Sequence, residues 1–225
     1  MTTGSSETFA VLGICLLQFL FFVGVLALVL GATYFSRQAQ RKAWGELAAR
    51  TGLTFEPGSF LGGGARVTGA YHNHPLTLDT FTRGSGKSRT TYTRIVLFVD
   101  NPANVYLALY QESVFSKIGK FFGMEDLQIG DEEVDRRFII KSKPESFAAS
   151  LFTSISLRQQ LLQARVLNVE VDGRELTFEQ VGLLNDVEYL KFLFDLLCQL
   201  AERVEQAGDG QGANVAADGR RPTAR

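Results

Sequence analysis

The two histidines of this chain, His72 and His74, have the spacing at which two side chains of a β-strand share one face. Two imidazoles on one face can hold a zinc ion when further ligands come from elsewhere in the fold. Pro75 follows at once, and the short stretch through Asn73 and His74 is typical of a tight turn between two strands. Because the pattern indicates no third ligand, we predict a structural turn here and no metal ion or cofactor.

The stretch Gly84-Ser85-Gly86-Lys87-Ser88 ends like a phosphate-binding loop. Such a loop needs another glycine five residues before Gly86, a strand before it and a helix after it. Position 81 is Phe, and strand patterns lie on both sides of the stretch. We therefore predict a hairpin loop rather than a nucleotide site.

Carboxylates are concentrated at Asp131, Glu132, Glu133 and Asp135. Their spacing lacks the ligand pattern of an EF-hand calcium loop, so we predict a solvated acidic loop. The chain also lacks the Gly-x-Ser-x-Gly elbow that presents a nucleophilic serine. These patterns favour a non-catalytic protein. The alternative is a membrane-bound, hydrolase-like enzyme with a site that the sequence does not reveal.

The strongest pattern in the chain is apolar. Phe9 to Leu30 is 22 residues long and contains no Asp, Glu, Lys or Arg. At about 1.5 Å per helical residue it can cross a hydrocarbon layer of about 30 Å. No basic residues precede it as in a secretory signal peptide, and Ile14 occupies the place where a lipoprotein signal needs a small residue. We predict a transmembrane helix over residues 9–35.

The flanks of this span predict its orientation. Basic residues follow the span closely: Arg37, Arg41 and Lys42. The single charge before the span is Glu7, and basic residues concentrate on the cytoplasmic side of a membrane. We expect residues 1–8 outside the plasma (inner) membrane, a juxtamembrane helix over 36–52 that ends at Gly52, and the rest of the chain in the cytoplasm.

The expected partners are the lipid bilayer and an unidentified protein. Ala27 and Gly31 form a small-xxx-small pair in the span, and Gln18 can hydrogen-bond to another helix, which favours weak homo-oligomerisation through the membrane. The formal net charge is −1, and no broad basic face is indicated. Nucleic acid is therefore not expected as a partner.

The sequence pattern over residues 53–207 predicts one cytoplasmic α+β domain. Alternating apolar patterns indicate an antiparallel sheet of about seven strands, the first four in a meander, packed by helices and a long C-terminal helix. The continuously apolar Ile95 to Val99 predicts a central strand buried on both faces. A small barrel of the pleckstrin-homology type is an alternative, but the helical pair between the fifth and sixth strands fits it poorly. Residues 208–225 lack an apolar period and are predicted to be disordered.

Two patterns of apolar and small residues carry a resemblance: Trp44-x-x-Leu47-Ala48 with Gly52-Leu53-x-Phe55, and Ile129-Gly130-Asp131 with Val134-Asp135-x-x-Phe138. Through them the chain resembles a family of uncharacterised bacterial single-pass membrane-anchored proteins over most of residues 1–205. Val134 departs from that family, which usually has Phe at this position. The resemblance implies shared packing and no site residues.

The segment after the fourth predicted strand interleaves aromatic and basic side chains: Phe115, Lys117, Lys120, Phe121 and Phe122. Lysines attract anionic lipid, and phenylalanine rings insert at the headgroup boundary. We expect this segment, together with the basic residues that follow the span, to contact the membrane surface. The alternative is that Phe121 and Phe122 close the core of the domain.

The one-sided placement of basic residues predicts that the domain lies inside the cell. A protease added outside intact cells should therefore leave residues 53–205 whole, and should digest them once the cells are permeabilised. Immunoblotting against the domain, with a known cytoplasmic protein as the control, provides the measurement. Digestion in intact cells would overturn the orientation and the cytoplasmic location.

Overall fold

An antiparallel sheet of eight strands organises the domain. The computed structural model describes the backbone of residues 4–58, 63–111 and 126–218, and the side chains of 16–58, 63–86, 88–111 and 126–207. The strands are β1 (Thr54–Glu56), β2 (Arg66–Tyr71), β3 (His74–Arg83), β4 (Thr90–Phe98), β5 (Tyr106–Gln111), β6 (Phe138–Lys143), β7 (Asn168–Asp172) and β8 (Glu175–Val181). The helices are α1 (Gly4–Thr51), α2 (Glu132–Arg137), α3 (Glu145–Phe152), α4 (Ile155–Gln163) and α5 (Val187–Asp218). The predicted α+β class is confirmed, with β1 as a strand that was not predicted.

The predicted transmembrane and juxtamembrane helices form one unbroken helix, α1. Among the described residues, its segment Leu16–Thr51 is the one helical stretch long and apolar enough to cross a membrane. Large side chains of this stretch are exposed, Leu17 by 73% and Phe19 by 65%, as expected of a surface that faces lipid. The chain divides into two compact units, and the boundary falls between Lys42 and Ala43.

The last turns of α1 belong to the core of the domain. Trp44 and Leu47 are completely buried, and Trp44 Nε1 donates a hydrogen bond of 2.8 Å to the carbonyl oxygen of Leu184. The helix ends where the sequence predicts, because Gly52 has a φ of +72°. The N–H of Leu53 then donates a hydrogen bond of 3.0 Å to the carbonyl oxygen of Ala48 in the last turn. A glycine in the left-handed region followed by such a bond is a common helix ending.

The strand order is β1-β2-β3-β4-β8-β7-β5-β6, so the predicted four-strand meander is wrong. The β7–β8 hairpin lies between β4 and β5, and Phe178 is paired with both Ile95 on β4 and Val169 on β7. A local pattern identifies each strand but not its distant partner. Within the described residues no pairing joins the edge strands β1 and β6, so the sheet is open and the barrel alternative is wrong.

One face of the sheet and the helices share a core, to which α1, β8 and α5 contribute Trp44, Phe178 and Phe194. On β4, Ile95 and Leu97 point into this core, whereas Phe98 is 46% exposed on the opposite face. The predicted burial of β4 on both faces is therefore wrong, because a run of apolar residues does not reveal how many faces are covered. The strand with four consecutive buried residues is β5: Leu107, Ala108, Leu109 and Tyr110.

The β2–β3 hairpin turns at His72 and Asn73, one residue earlier than predicted. Both residues have positive φ angles, 46° and 68°, as a type I′ turn requires. His74 is the first residue of β3 and pairs with Tyr71. His74 is thus a buried strand residue rather than part of the turn.

The predicted acidic loop is wrong, because its carboxylates cap a helix. Asp131 is the N-cap of α2 and accepts hydrogen bonds from the N–H groups of Glu133 and Val134 at 3.1 and 3.2 Å. The bond from Val134 is the main reason that the pKa of Asp131 is lowered. Asp135 accepts from the N–H groups of Ile129 and Gly130 at 2.9 and 3.0 Å. These acidic residues therefore satisfy backbone donors at a helix start.

The C-terminal helix α5 starts close to the predicted position and is longer than predicted. The carboxylate of Asp186 accepts the N–H of Tyr189 at 3.0 Å and caps the first turn. The helix continues to Asp218, and the predicted disorder of residues 208–225 stays a prediction. Its apolar residues pack on the core as far as Ala207 among the described side chains.

Candidate functional site

The face of the sheet turned away from the core is partly exposed over β2, β3, β4 and β8, and we call it the open face. Successive side chains of a strand point to opposite faces, so each inward apolar residue has outward neighbours. On these four strands the outward side chains are mainly Thr, Arg, Asp, Glu and aromatic residues. Phe98 and Val181, on β4 and β8, are 46% and 47% exposed there.

A row of alternating charges crosses the open face. Strand register pairs Asp79 with Arg94, and Arg94 with Glu179. Asp79 is only 6% exposed. Arg94 donates two hydrogen bonds to its carboxylate, from Nε to Oδ1 at 2.9 Å and from Nη2 to Oδ2 at 2.7 Å. Arg66 Nη2 lies 3.7 Å from the same carboxylate. The hydrogen bond with Asp79 raises the pKa of Arg94, so this guanidinium keeps its charge.

An aromatic pair lies next to this row. Phe81 and Tyr92 are cross-strand partners, and their rings stack with centroids 5.2 Å apart and an angle of 17° between the planes. The guanidinium carbon of Arg83 lies 5.3 and 5.2 Å from the two centroids, and that of Arg94 lies 5.2 Å from the Phe81 centroid. Such cation–π contacts contribute about 0.5–1 kcal/mol each at exposed sites. Two cations are therefore held over one aromatic surface.

These residues form the arginine–aromatic cluster: Arg66, Asp79, Phe81, Arg83, Tyr92, Arg94 and Glu179. Its arginine side chains keep much of their surface, with Arg66 52%, Arg83 45% and Arg94 36% exposed. Arg83 binds Glu179 only through bonds of 3.2 and 3.4 Å. Because a guanidinium has five donor hydrogens, Arg66 and Arg83 can donate to a further acceptor. The cluster offers fixed cations beside aromatic surface, which suits recognition.

The structure separates the predicted contact residues into two groups. One group lies outside the described residues: Phe115, Lys117, Lys120, Phe121 and Phe122. The other group lies exposed on α1: Arg37, Arg41 and Lys42. Contact of either group with the membrane surface stays a prediction. The Gly84–Ser88 stretch connects β3 to β4, so strands flank it on both sides as expected of a hairpin loop.

The histidines have different surroundings. His72 is exposed in the turn and stacks on Tyr71 with centroids 4.5 Å apart. His74 is 6% exposed, and its Nε2 lies 3.2 Å from Oε1 of Glu205 on α5. Among the described residues, no three His, Cys, Asp or Glu side chains have an arrangement that could hold a metal ion.

Sequence reasoning missed the arginine–aromatic cluster, although part of its signal was present. Alternation places Asp79, Phe81 and Arg83 on one face of a strand, and Tyr92 and Arg94 on one face of another. This triplet and this pair are visible in the sequence. The register that brings them together on β3, β4 and β8 is set by pairing between distant residues, and it is not visible in the sequence.

Comparison with known proteins identifies a related fold. No protein-family model matches the chain. No curated protein matches it either. The chain is similar to the crystal structure of the mycobacterial trehalose monomycolate transport factor A, TtfA, with a TM-score of 0.52 and 12% identity over 73% of this chain and 94% of that chain. The likeness shows a shared fold, and the resemblance to an uncharacterised bacterial family stays a prediction.

The buried position of Asp79 predicts unequal roles for two arginines of the cluster. Arg94→Gln should lower the free energy of unfolding by about 1–3 kcal/mol, because it leaves a buried carboxylate without its two-bond partner. Arg83→Gln is the matched control and should cost less than about 1 kcal/mol, since its bonds to Glu179 are long and solvated. Pulse proteolysis of the full chain in urea measures both. Equal losses, or a larger loss for Arg83→Gln, would contradict this account of the cluster.

Proposed function

We propose that this protein is a membrane-anchored, non-catalytic adaptor whose cytoplasmic domain binds another protein through the arginine–aromatic cluster. The observation that carries the proposal is the position of this cluster on the open face. The arginine side chains there are held in place by neighbours and remain 36–52% exposed, whereas Tyr92, beneath Arg83, is only 9% exposed. Arg is enriched among the residues that dominate binding energy at protein interfaces.

The geometry of the cluster supports binding with little loss of side-chain freedom. Arg94 is fixed by two bonds to Asp79, and the rings of Phe81 and Tyr92 are fixed by their mutual stacking. Side chains that are already ordered lose less entropy when a partner binds. With three arginines against Asp79 and Glu179, the cluster carries one net positive charge, which favours a partner with an acidic patch.

The apolar part of α1 supports the membrane location. An anchored domain meets proteins of the same membrane at a high local concentration, so modest affinity is sufficient. We therefore propose a membrane protein as the partner. The solved structure with a similar fold is described as a transport factor for trehalose monomycolate. By analogy of fold, we propose an accessory role in transport at the membrane for this chain as well.

Site-specific photocrosslinking of the full chain in its native membrane tests the proposal. A photoreactive residue at Val181, beside Tyr92 on the open face, should give an adduct with a membrane protein. The matched control is Ile155 on α4, which is also apolar and is 68% exposed. The double change Arg66→Glu and Arg83→Glu should abolish the adduct at Val181, whereas Arg174→Glu, at an exposed turn outside the cluster, should not.

Three results would contradict the proposal. They are a lack of any adduct at Val181, equal adducts from Val181 and Ile155, and an adduct that survives charge reversal of the cluster. Immunoblotting of the adduct and of the variant protein level separates loss of binding from loss of the protein.

A further inference from the structure

Three basic residues follow the apolar stretch of α1, on a part of the helix that has no acidic residue. They are Arg37, Arg41 and Lys42, and all three are exposed. From residue 8 to residue 45 the chain contains no Asp or Glu. Within the described part of the chain, none of the three forms an ion pair or a side-chain hydrogen bond. Their positive charges therefore remain available to an anion from outside the chain.

The helix places two of these cations together and the third apart from them. Because α1 is unbroken, the spacing of its residues fixes their directions around the axis. At 3.6 residues per turn, Tyr34, Arg37 and Arg41 lie within about 60° of one another, with the two arginines one turn apart. Lys42 lies about 100° around the axis from Arg41. The arginines therefore form a pair on the face of Tyr34, and Lys42 does not belong to it.

The direction of the helix brings this pair toward the membrane surface. Tyr34 is 65% exposed, and tyrosines that follow a span lie at the level of the lipid headgroups. The Cα atoms of Arg37 and Arg41 lie about 4.5 and 10.5 Å beyond that of Tyr34 along the axis. Side chains of an α-helix lean toward its N-terminus, which here is the side of the apolar stretch. Both guanidinium groups therefore reach back toward the headgroups.

Two guanidinium groups one turn apart suit a phosphate group. A guanidinium is planar, keeps its charge and donates paired hydrogen bonds to phosphate oxygens. The ammonium group of Lys42 attracts an anion but lacks this paired geometry. The hydroxyl of Tyr34, on the face of the arginines, can donate to a further oxygen of the same ligand. This face of α1 thus combines the donors that a phosphate and its polar substituent require.

We propose that Tyr34, Arg37 and Arg41 form a binding site for the headgroup of one anionic phospholipid. The two guanidinium groups hold the lipid phosphate, and the Tyr34 hydroxyl binds a headgroup oxygen. An acyl chain lies along the apolar side chains before Tyr34, such as Leu30 on the same face, which is 59% exposed. The sequence predicts general contact of the basic residues with the membrane surface, whereas the helix assigns one lipid to one face. The site shares no residue with the arginine–aromatic cluster, so either proposal can fail while the other holds.

Native mass spectrometry of the full chain in detergent micelles, titrated with phosphatidylglycerol or phosphatidylcholine, tests this proposal. We expect phosphatidylglycerol to bind about tenfold more tightly, because the choline cation of the other lipid is repelled by the arginines. Arg37→Gln and Arg41→Gln should each weaken binding of phosphatidylglycerol about fivefold, the usual contribution of one cation near a membrane surface. Lys42→Gln is the matched control, since it removes the same charge from another face, and should change binding by less than about twofold.

Two further arms separate a built site from general attraction. The double change Arg37→Lys and Arg41→Lys keeps both charges and should still weaken binding, because it removes the paired donors. Glycerol 3-phosphate, which has the phosphate but no acyl chain, should not displace the lipid. Circular dichroism of each variant verifies that the helices are intact.

Four results would overturn the proposal. They are equal binding of the two lipids, an equal loss in Lys42→Gln and the arginine variants, full binding by the double lysine variant, and displacement of the lipid by glycerol 3-phosphate.

Discussion

The burial of Trp44 and Leu47 is the interaction on which the rest of the structure depends. Both side chains are completely buried in the domain, yet they belong to the same unbroken helix as the apolar stretch that can span a membrane. Loss of a large buried aromatic side chain costs about 3–5 kcal/mol, a large part of the stability of a typical domain. The core therefore requires the last turns of α1.

Placement of the helices on one face of the sheet leaves the other face partly exposed. Two outward residues of β4, Tyr92 and Arg94, belong to the arginine–aromatic cluster on that face. The inward residues of the same strand, Ile95 and Leu97, secure it in the core.

Local sequence patterns predicted most helices and strands, whereas the order of the strands depends on long-range pairing that these patterns do not reveal. The apolar span, the stop at Gly52 and the α+β class follow from periodicity and backbone preference, which act over a few residues. The insertion of the β7–β8 hairpin beside β4 depends on contacts between distant residues, such as Ile95 and Phe178. The same dependence on long-range pairing explains why the arginine–aromatic cluster was not predicted from the sequence. Alternation shows which residues share a face of one strand, but only the strand order brings Arg94 beside Glu179 or places His74 against Glu205.

Fluorescence of Trp44 tests the central claim most directly, because it is the single tryptophan of the chain. If the end of α1 is part of the core, Trp44 in nanodiscs has a blue-shifted emission and is protected from acrylamide. In urea, its emission should shift to the red with the same midpoint as the loss of sheet structure seen by circular dichroism. Ready quenching in the folded protein would contradict the account. So would a red shift whose midpoint differs from that of the sheet.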